Sequence, residues 1–129
     1  MNHTLKRAML SCLAGSLALA MPAGCSGLKP TDPDQARETL SLALNAWRDS
    51  LSVDDVSSGS PPITVADPAW KAGYKLTSYQ VAEAIKTVGF DLNIPVELSL
   101  EDPKGKAVRE RVKYTVSVQP ARTVIRSPF

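Results

Sequence analysis

The sequence is poor in the residues on which many enzymes and metal sites depend. Its 129 residues include one histidine and two cysteines, and His3 and Cys12 both lie near the start of the chain. After Cys25, no imidazole and no thiol follows. This excludes from residues 26–129 a Ser–His or Cys–His nucleophile pair and a zinc site built from histidine and cysteine. We expect no cofactor and no metal site.

A strong charge of one sign is also missing. The chain has 15 basic and 13 acidic residues, a net charge of +2. Lys6 and Arg7 are the only charged residues before residue 25, so the remainder has 15 − 2 = 13 basic and 13 acidic residues. A nucleic-acid-binding surface needs an excess of Lys and Arg. The balance therefore predicts that nucleic acid is not a partner.

The start of the chain predicts export. Lys6 and Arg7 form a short positive stretch, and residues 8–21 are uncharged and largely apolar. This is the layout of a secretory signal peptide. The apolar run is shorter than the roughly 20 residues that a spanning helix needs, and Pro22 interrupts it. A retained transmembrane anchor is therefore the poorer interpretation.

The segment ends in Ala23-Gly24-Cys25, which resembles the motif of bacterial lipoproteins. In that family the cysteine takes a diacylglyceryl group and becomes the N-terminus after cleavage. The resemblance implies a signal peptide over residues 1–24, lipid attachment at Cys25 and a lipidated tether over residues 25–31, which anchors the protein to a membrane of the bacterial envelope. Pro22 departs from the family pattern, which has Leu or another aliphatic residue there, and this bears on processing efficiency.

A second cleavage site lies within the same segment. Ala18-Leu19-Ala20 has the small-x-small pattern that precedes ordinary signal-peptide cleavage. Cleavage after Ala20 would give a secreted or periplasmic protein in which Cys25 is an unmodified thiol. Both alternatives remain open from the residues alone.

Residues 32–129 predict one small α+β domain. Asp32 can cap a helix, and Pro33 suits its first position. Apolar residues then recur at steps of three and four, which predicts one amphipathic helix from Pro33 to Leu51. Its apolar face consists of Ala36, Leu40, Ala43, Leu44, Trp47 and Leu51. Trp47 lies on this face, so we interpret it as a core residue.

Strict alternation of apolar and polar residues predicts a β-hairpin. Residues 90–101 and 108–118 place even-numbered apolar side chains on one face, and Pro103-Lys104-Gly105 supplies the turn. A three-residue turn pairs residues 102 and 106, so the numbers of every later pair sum to 208. The register predicts the pairs Val96–Val112, Ile94–Tyr114, Leu92–Val116 and Phe90–Val118 inside, and Glu97–Arg111 outside.

The remaining segments are less regular. We interpret residues 52–62 as a loop, Ile63 to Val65 as a short strand and Asp67 to Trp70 as a turn. Residues 75–89 fit either a strand or a capped short helix. We favour a strand over 76–82, because the strongly β residues that follow need a neighbour. Residues 122–126 predict a last strand.

The predicted fold class is therefore α+β, with one N-terminal amphipathic helix packed on an antiparallel β-meander of three to five strands. In pattern alone, without a shared motif, it resembles cystatin-like and nuclear-transport-factor-like rolls. Such a likeness does not confer function.

Two functional interpretations follow. The first is a non-enzymatic lipoprotein whose outer sheet face, or whose loops at 57–62 and 67–74, contact an envelope protein. The second is a small-ligand-binding or enzymatic domain with a pocket between helix and sheet. Glu110 breaks the apolar face opposite Leu98, either as a wet residue at the rim or as a pocket carboxylate. Residues that could line a pocket or a contact are Glu110, Trp70, Tyr79 and Tyr114.

Overall fold

Within the part of the chain that the structure describes, the longest element is a helix, and a sheet follows it. A computed structural model describes residues 30–127. The predicted signal peptide, Cys25 and most of the tether lie outside the described residues. The described helices are α1 (Pro33–Arg48), α2 (Val53–Ser57) and α3 (Pro68–Lys71), and the strands are β1 (Ile63–Ala66), β2 (Lys75–Val81), β3 (Lys86–Val88), β4 (Asp91–Glu101), β5 (Ala107–Ser117) and β6 (Arg122–Ser127).

Helix α1 begins where the sequence predicted. The Asp32 side chain accepts a hydrogen bond of 3.2 Å from the Gln35 N–H, and Pro33 occupies the first turn. The apolar face packs against β2, β5 and β6. Its buried residues are Ala36, Thr39, Leu40, Ala43, Leu44 and Trp47. The amphipathic helix and the core position of Trp47 are therefore confirmed.

The end of α1 differs from the prediction, since the helix stops at Arg48 and not at Leu51. Ser50 adopts a left-handed backbone conformation with a φ of 70°. Its N–H donates to the Trp47 carbonyl, and the Leu51 N–H donates to the Ala46 carbonyl, both at 2.9 Å. These two bonds form a Schellman motif, which ends a helix by reversing the chain. Leu51 consequently leaves the buried face and is 45% exposed.

The hairpin register is confirmed over ten consecutive pairs. Strands β4 and β5 pair from Leu92 with Val116 through Glu101 with Ala107, and each pair sums to 208. The even-numbered residues of β4, from Leu92 to Leu100, are all buried. The predicted pair Phe90–Val118 is wrong, because β4 begins only at Asp91. Gly89, with a φ of 64°, forms a tight turn between β3 and β4, and this turn leaves Phe90 outside the ladder.

The sheet is curled and mixed, which corrects the predicted antiparallel meander of three to five strands. Six described strands run in the order β1-β6-β5-β4-β2, with β3 also pairing with β4. Strands β1 and β6 are parallel, and the other pairs are antiparallel. Parallel neighbours require a long crossover, here from Ala66 to Arg122. Local periodicity holds no information about such a crossover.

Residues 75–89 form two strands, so the preference for a strand over a helix is confirmed. Strand β2 pairs with the second half of β4 and β3 with its first residues. Between them, the Pro95 carbonyl accepts a bond of 2.9 Å from Ala82 N–H. In a strand, the carbonyl and the N–H of one residue point to the same side. The missing N–H of Pro95 therefore faces the gap between β2 and β3, where a proline is tolerated.

Two segments assigned to irregular structure contain short helices. In the predicted loop at 52–62, the Ser52 hydroxyl accepts from the Asp55 N–H at 3.1 Å, and the Asp55 carboxylate accepts from the Ser52 N–H at 3.0 Å. This reciprocal pair is a capping box, and it begins α2; the hydrogen bond from the Ser52 backbone also lowers the pKa of Asp55. The predicted turn at 67–70 contains α3. The predicted strands at 63–65 and 122–126 are confirmed.

The left-handed residue at the end of α1 generates a testable prediction. A side chain in this conformation costs about 1–2 kcal/mol, which glycine avoids, although glycine gains about 0.5–1 kcal/mol of entropy in the unfolded chain. We expect Ser50→Gly to raise the free energy of unfolding by about 0.5–1 kcal/mol in urea titrations. Ser50→Ala is the control, because it keeps the strain. Equal stability of the two variants would contradict the left-handed conformation of residue 50.

Candidate functional site

The four residues predicted for a pocket or contact do not converge on one site. Glu110 and Tyr114 belong to a polar cluster on the inner face of the sheet. Trp70 lies in a cleft at the C-terminal end of α1. Tyr79 lies on β2, where its hydroxyl donates to the Asn45 side chain at 2.7 Å.

The polar cluster centres on a carboxylate that the sequence analysis assigned only to a turn. Asp67 is 1% exposed and accepts hydrogen bonds from the N–H groups of Ala69 and Trp70, at 3.0 and 3.3 Å. The Tyr114 hydroxyl also donates to it, at 2.5 Å. Arg126 forms a salt bridge with it, with Nε 3.1 Å from Oδ1 and Nη2 3.3 Å from Oδ2. Both carboxylate oxygens of Asp67 therefore have polar donors beside them.

Glu110 lies at the exposed edge of the same cluster. Its Oε1 is 3.3 Å from Arg126 Nη1, and its side chain is 39% exposed. The residue thus lies at the rim of the sheet with a cation beside it, opposite Leu98 as the register predicted. Sequence reasoning found no partner for Glu110, because its partner lies on β6 and the position of β6 in the sheet was unknown.

Two groups of this cluster, Tyr114 and Arg126, have raised pKa values. Burial raises the pKa of Tyr114, and the negative charge of Asp67 raises it further. Burial acts to lower the pKa of Arg126, but its interactions with Asp67, Tyr114 and Glu110 together outweigh burial and raise the pKa overall. Tyr114 stays protonated and Arg126 stays charged near neutral pH. Neither group therefore supplies a proton carrier, and the cluster acts as a structural brace.

The cleft beside α1 is the better candidate for binding. It has a volume of about 340 Å³ and is lined by Trp47, Trp70, Tyr74 and Leu51, with the charged side chains Arg48, Lys75 and Glu101 around them. A cleft with an apolar floor and a few polar groups is the usual form of a ligand or side-chain site.

Two tryptophans give the cleft a rigid wall. The rings of Trp47 and Trp70 stack with their centroids 5.1 Å apart and their planes 4° apart. The Trp47 Nε1–H donates to the Tyr74 carbonyl at 2.8 Å, and the Trp70 Nε1–H donates to the Leu51 carbonyl at 3.0 Å. With both indole N–H groups bonded to backbone, the rings cannot turn without losing a hydrogen bond. Asp67 caps α3 and so positions Trp70.

Hydroxyl side chains also line the cleft. Ser52 and Thr77 lie along it, but residues 26–129 contain no histidine to act as their base. Within residues 30–127, no cluster of His, Cys, Asp and Glu has the arrangement to hold a metal ion. The helices of this part of the chain are also not long and apolar enough to cross a membrane.

The buried ion pair yields a prediction about stability. Asp67→Asn keeps the size of the side chain but leaves Arg126 without its buried counter-charge, which costs about 3 kcal/mol. We expect that loss in the free energy of urea unfolding. Asp34→Asn, on the exposed face of α1, is the control and should change it by no more than about 0.5 kcal/mol. A loss at Asp67 as small as the control's would show that the pair is not needed.

The raised pKa of Tyr114 yields a prediction about pH. In the unfolded chain a tyrosine ionises near pH 10, whereas folded Tyr114 keeps its proton to higher pH. The contribution of this pKa difference to the free energy of unfolding is complete below about pH 10. Above that pH the free energy of unfolding falls by up to about 1.4 kcal/mol per pH unit. Urea titrations between pH 8 and 11 should show a smaller decline for Tyr114→Phe than for the unaltered protein. Equal slopes would contradict this.

Comparison with known proteins does not add to these observations. The chain matches no protein-family model, no curated protein and no solved structure. A functional proposal for this domain therefore rests on its own residues. They form a rigid aromatic cleft and a buried ion pair between Asp67 and Arg126.

Proposed function

We propose that this chain is an exported lipoprotein, anchored to a membrane of the bacterial envelope by acyl chains on Cys25, and that its domain is a non-enzymatic binding module. The observation that carries the proposal is the position of Ala23-Gly24-Cys25. The motif follows the apolar segment after one residue, Pro22, and six residues, 26–31, separate it from the helix cap Asp32.

The start of the domain supports a short tether. The Thr31 N–H donates to the Phe90 carbonyl at 2.9 Å, so the chain already belongs to the domain at residue 31. Residues 26–30 can then span at most about 20 Å when extended. Acyl chains contribute about 0.8 kcal/mol per buried methylene. They can therefore hold the domain at the bilayer without a basic surface.

The direction of α1 places the cleft away from the tether. The helix runs from Pro33 beside the tether to Arg48 beside the cleft, about 24 Å for 16 residues. An anchored domain would thus present the mouth of the cleft and the loop 67–74 on the side away from the bilayer, with Trp47 and Trp70 buried behind them. We propose that an envelope protein contacts this end.

A second candidate is a small ligand in place of a protein partner. The cleft supports it, because its volume of about 340 Å³ lies at the lower end of the usual range for ligand sites. The helix–sheet interface itself is filled by buried side chains such as Leu40, Leu44 and Tyr114. A ligand would therefore bind beside that interface. The likeness to cystatin-like rolls stays a prediction and implies no activity.

The anchor is tested by substitution of the proposed lipid site. We expect Cys25→Ser to move the protein from the membrane pellet to the soluble fraction, with an unchanged thermal unfolding temperature, because residue 25 precedes the folded domain. Ser26→Ala is the matched control and should remain in the pellet. Retention of Cys25→Ser in the pellet would contradict the proposal.

The mass of the membrane-purified protein provides an independent measurement. We expect residues 25–129 plus the mass of the acyl groups. An unmodified protein that begins at Met21 would instead support secretion after cleavage at Ala20.

A further inference from the structure

We propose that the turn between β3 and β4 inserts the Phe90 side chain into the phospholipid bilayer and so seats the anchored domain in one orientation. This inference rests on the proposed lipid anchor at Cys25. It adds a second contact with the membrane, made by the folded domain itself.

Phe90 is unusually exposed for a large aromatic residue. It is 54% exposed, more than any other large hydrophobic side chain described between residues 30 and 127. The others are Leu42, Leu51 and Ile125, which lie on α1, beyond the end of α1 and on β6. Of these exposed residues, Phe90 alone adjoins the tether. Aromatic side chains favour the membrane interface, where a ring can leave water while the adjoining backbone stays hydrated.

The hydrogen bond between Thr31 and Phe90 ties this turn to the proposed anchor. The Phe90 carbonyl accepts from the Thr31 N–H at 2.9 Å, and five residues, 26–30, separate Thr31 from Cys25. Their reach is at most about 20 Å. The turn therefore cannot move far from a bilayer that holds lipid on Cys25.

Helix α1 and strand β4 both extend away from the end of the domain at which the tether joins it. Helix α1 extends about 24 Å from Pro33 to Arg48. Strand β4 extends from Asp91 over 11 residues, about 36 Å. The short β3 pairs with β4 alone in the described sheet. The turn consequently lies at the tether end of the sheet, where β4 is flanked by β3 on one side and β5 on the other.

Gly89 and Phe90 are both exposed on this turn. Gly89 has a φ of 64°, a conformation that other residues rarely adopt. The space around it is open, since a methyl group added to its Cα would meet no heavy atom within 4 Å. Lys86 and Asp91 flank the turn with opposite charges, so we expect insertion to depend on the apolar ring and not on lipid charge.

The experiment uses the full chain, purified with its lipid and reconstituted into phosphatidylcholine vesicles. Phe90→Trp places an indole at the turn, and Lys104→Trp places one at the exposed tip of the β4–β5 hairpin, at the far end of β4. The native Trp47 and Trp70 provide a constant background. Phospholipids brominated near the headgroup quench only indoles that enter the bilayer. Thermal unfolding checks that both variants fold.

We expect brominated vesicles to reduce the emission of Phe90→Trp more than that of the unaltered protein, with a blue shift. Lys104→Trp should show no such extra loss. Raising the salt concentration should leave the quenching unchanged. If the protein co-sediments with vesicles but Phe90→Trp shows no extra quenching, insertion is wrong and the anchor stands. If it does not co-sediment, both proposals are overturned.

Equal quenching at both positions would also overturn the inference, since it would show that the domain has no fixed orientation. A blue shift of Phe90→Trp that depends on protein concentration, without quenching, would overturn it as well, because it would assign the exposed ring to contact with another protein molecule.

Discussion

The buried carboxylate of Asp67 is the interaction on which the rest of the structure depends. It lies directly after β1 and before α3, and it joins these elements to Tyr114 on β5 and Arg126 on β6. A carboxylate in the interior is costly unless its oxygens are paired, and here backbone, hydroxyl and guanidinium donors pair them. This arrangement links the parallel edge of the sheet to α3, which carries Trp70.

The two ends of the domain differ in structure. At one end, Asp67 caps α3 and holds Trp70 against Trp47, so the cleft has a rigid aromatic wall. At the other end, Thr31 bonds to Phe90 in the turn between β3 and β4. Helix α1 and the central strands span the distance between them and are packed tightly. A domain of this form can hold a binding cleft at a set distance from a membrane, which is the physical sense of the proposed function.

Local sequence patterns were sufficient where the interacting residues are neighbours along the chain. The start of α1 followed from Asp32 and Pro33, and the β4–β5 register followed from parity and one turn. The end of α1 was misjudged because Ser50 is not the glycine that usually occupies a left-handed cap. The Asp67–Arg126 pair joins residues 59 positions apart, and no local pattern connects them. Predicting it would have required knowing that β1 and β6 are parallel neighbours.

The long-range pairing of β1 with β6 also affects when the chain can fold. Strand β1 and the last strand, β6, close the sheet together, and the apolar inner face stays incomplete until β6 has arrived. Contacts between distant segments form late, because a long loop must close before they stabilise anything. A chain in which β6 is not yet available for pairing has no complete native core. Pairing of β6 late in folding would be compatible with the export proposed above, in which the chain crosses a membrane before it folds.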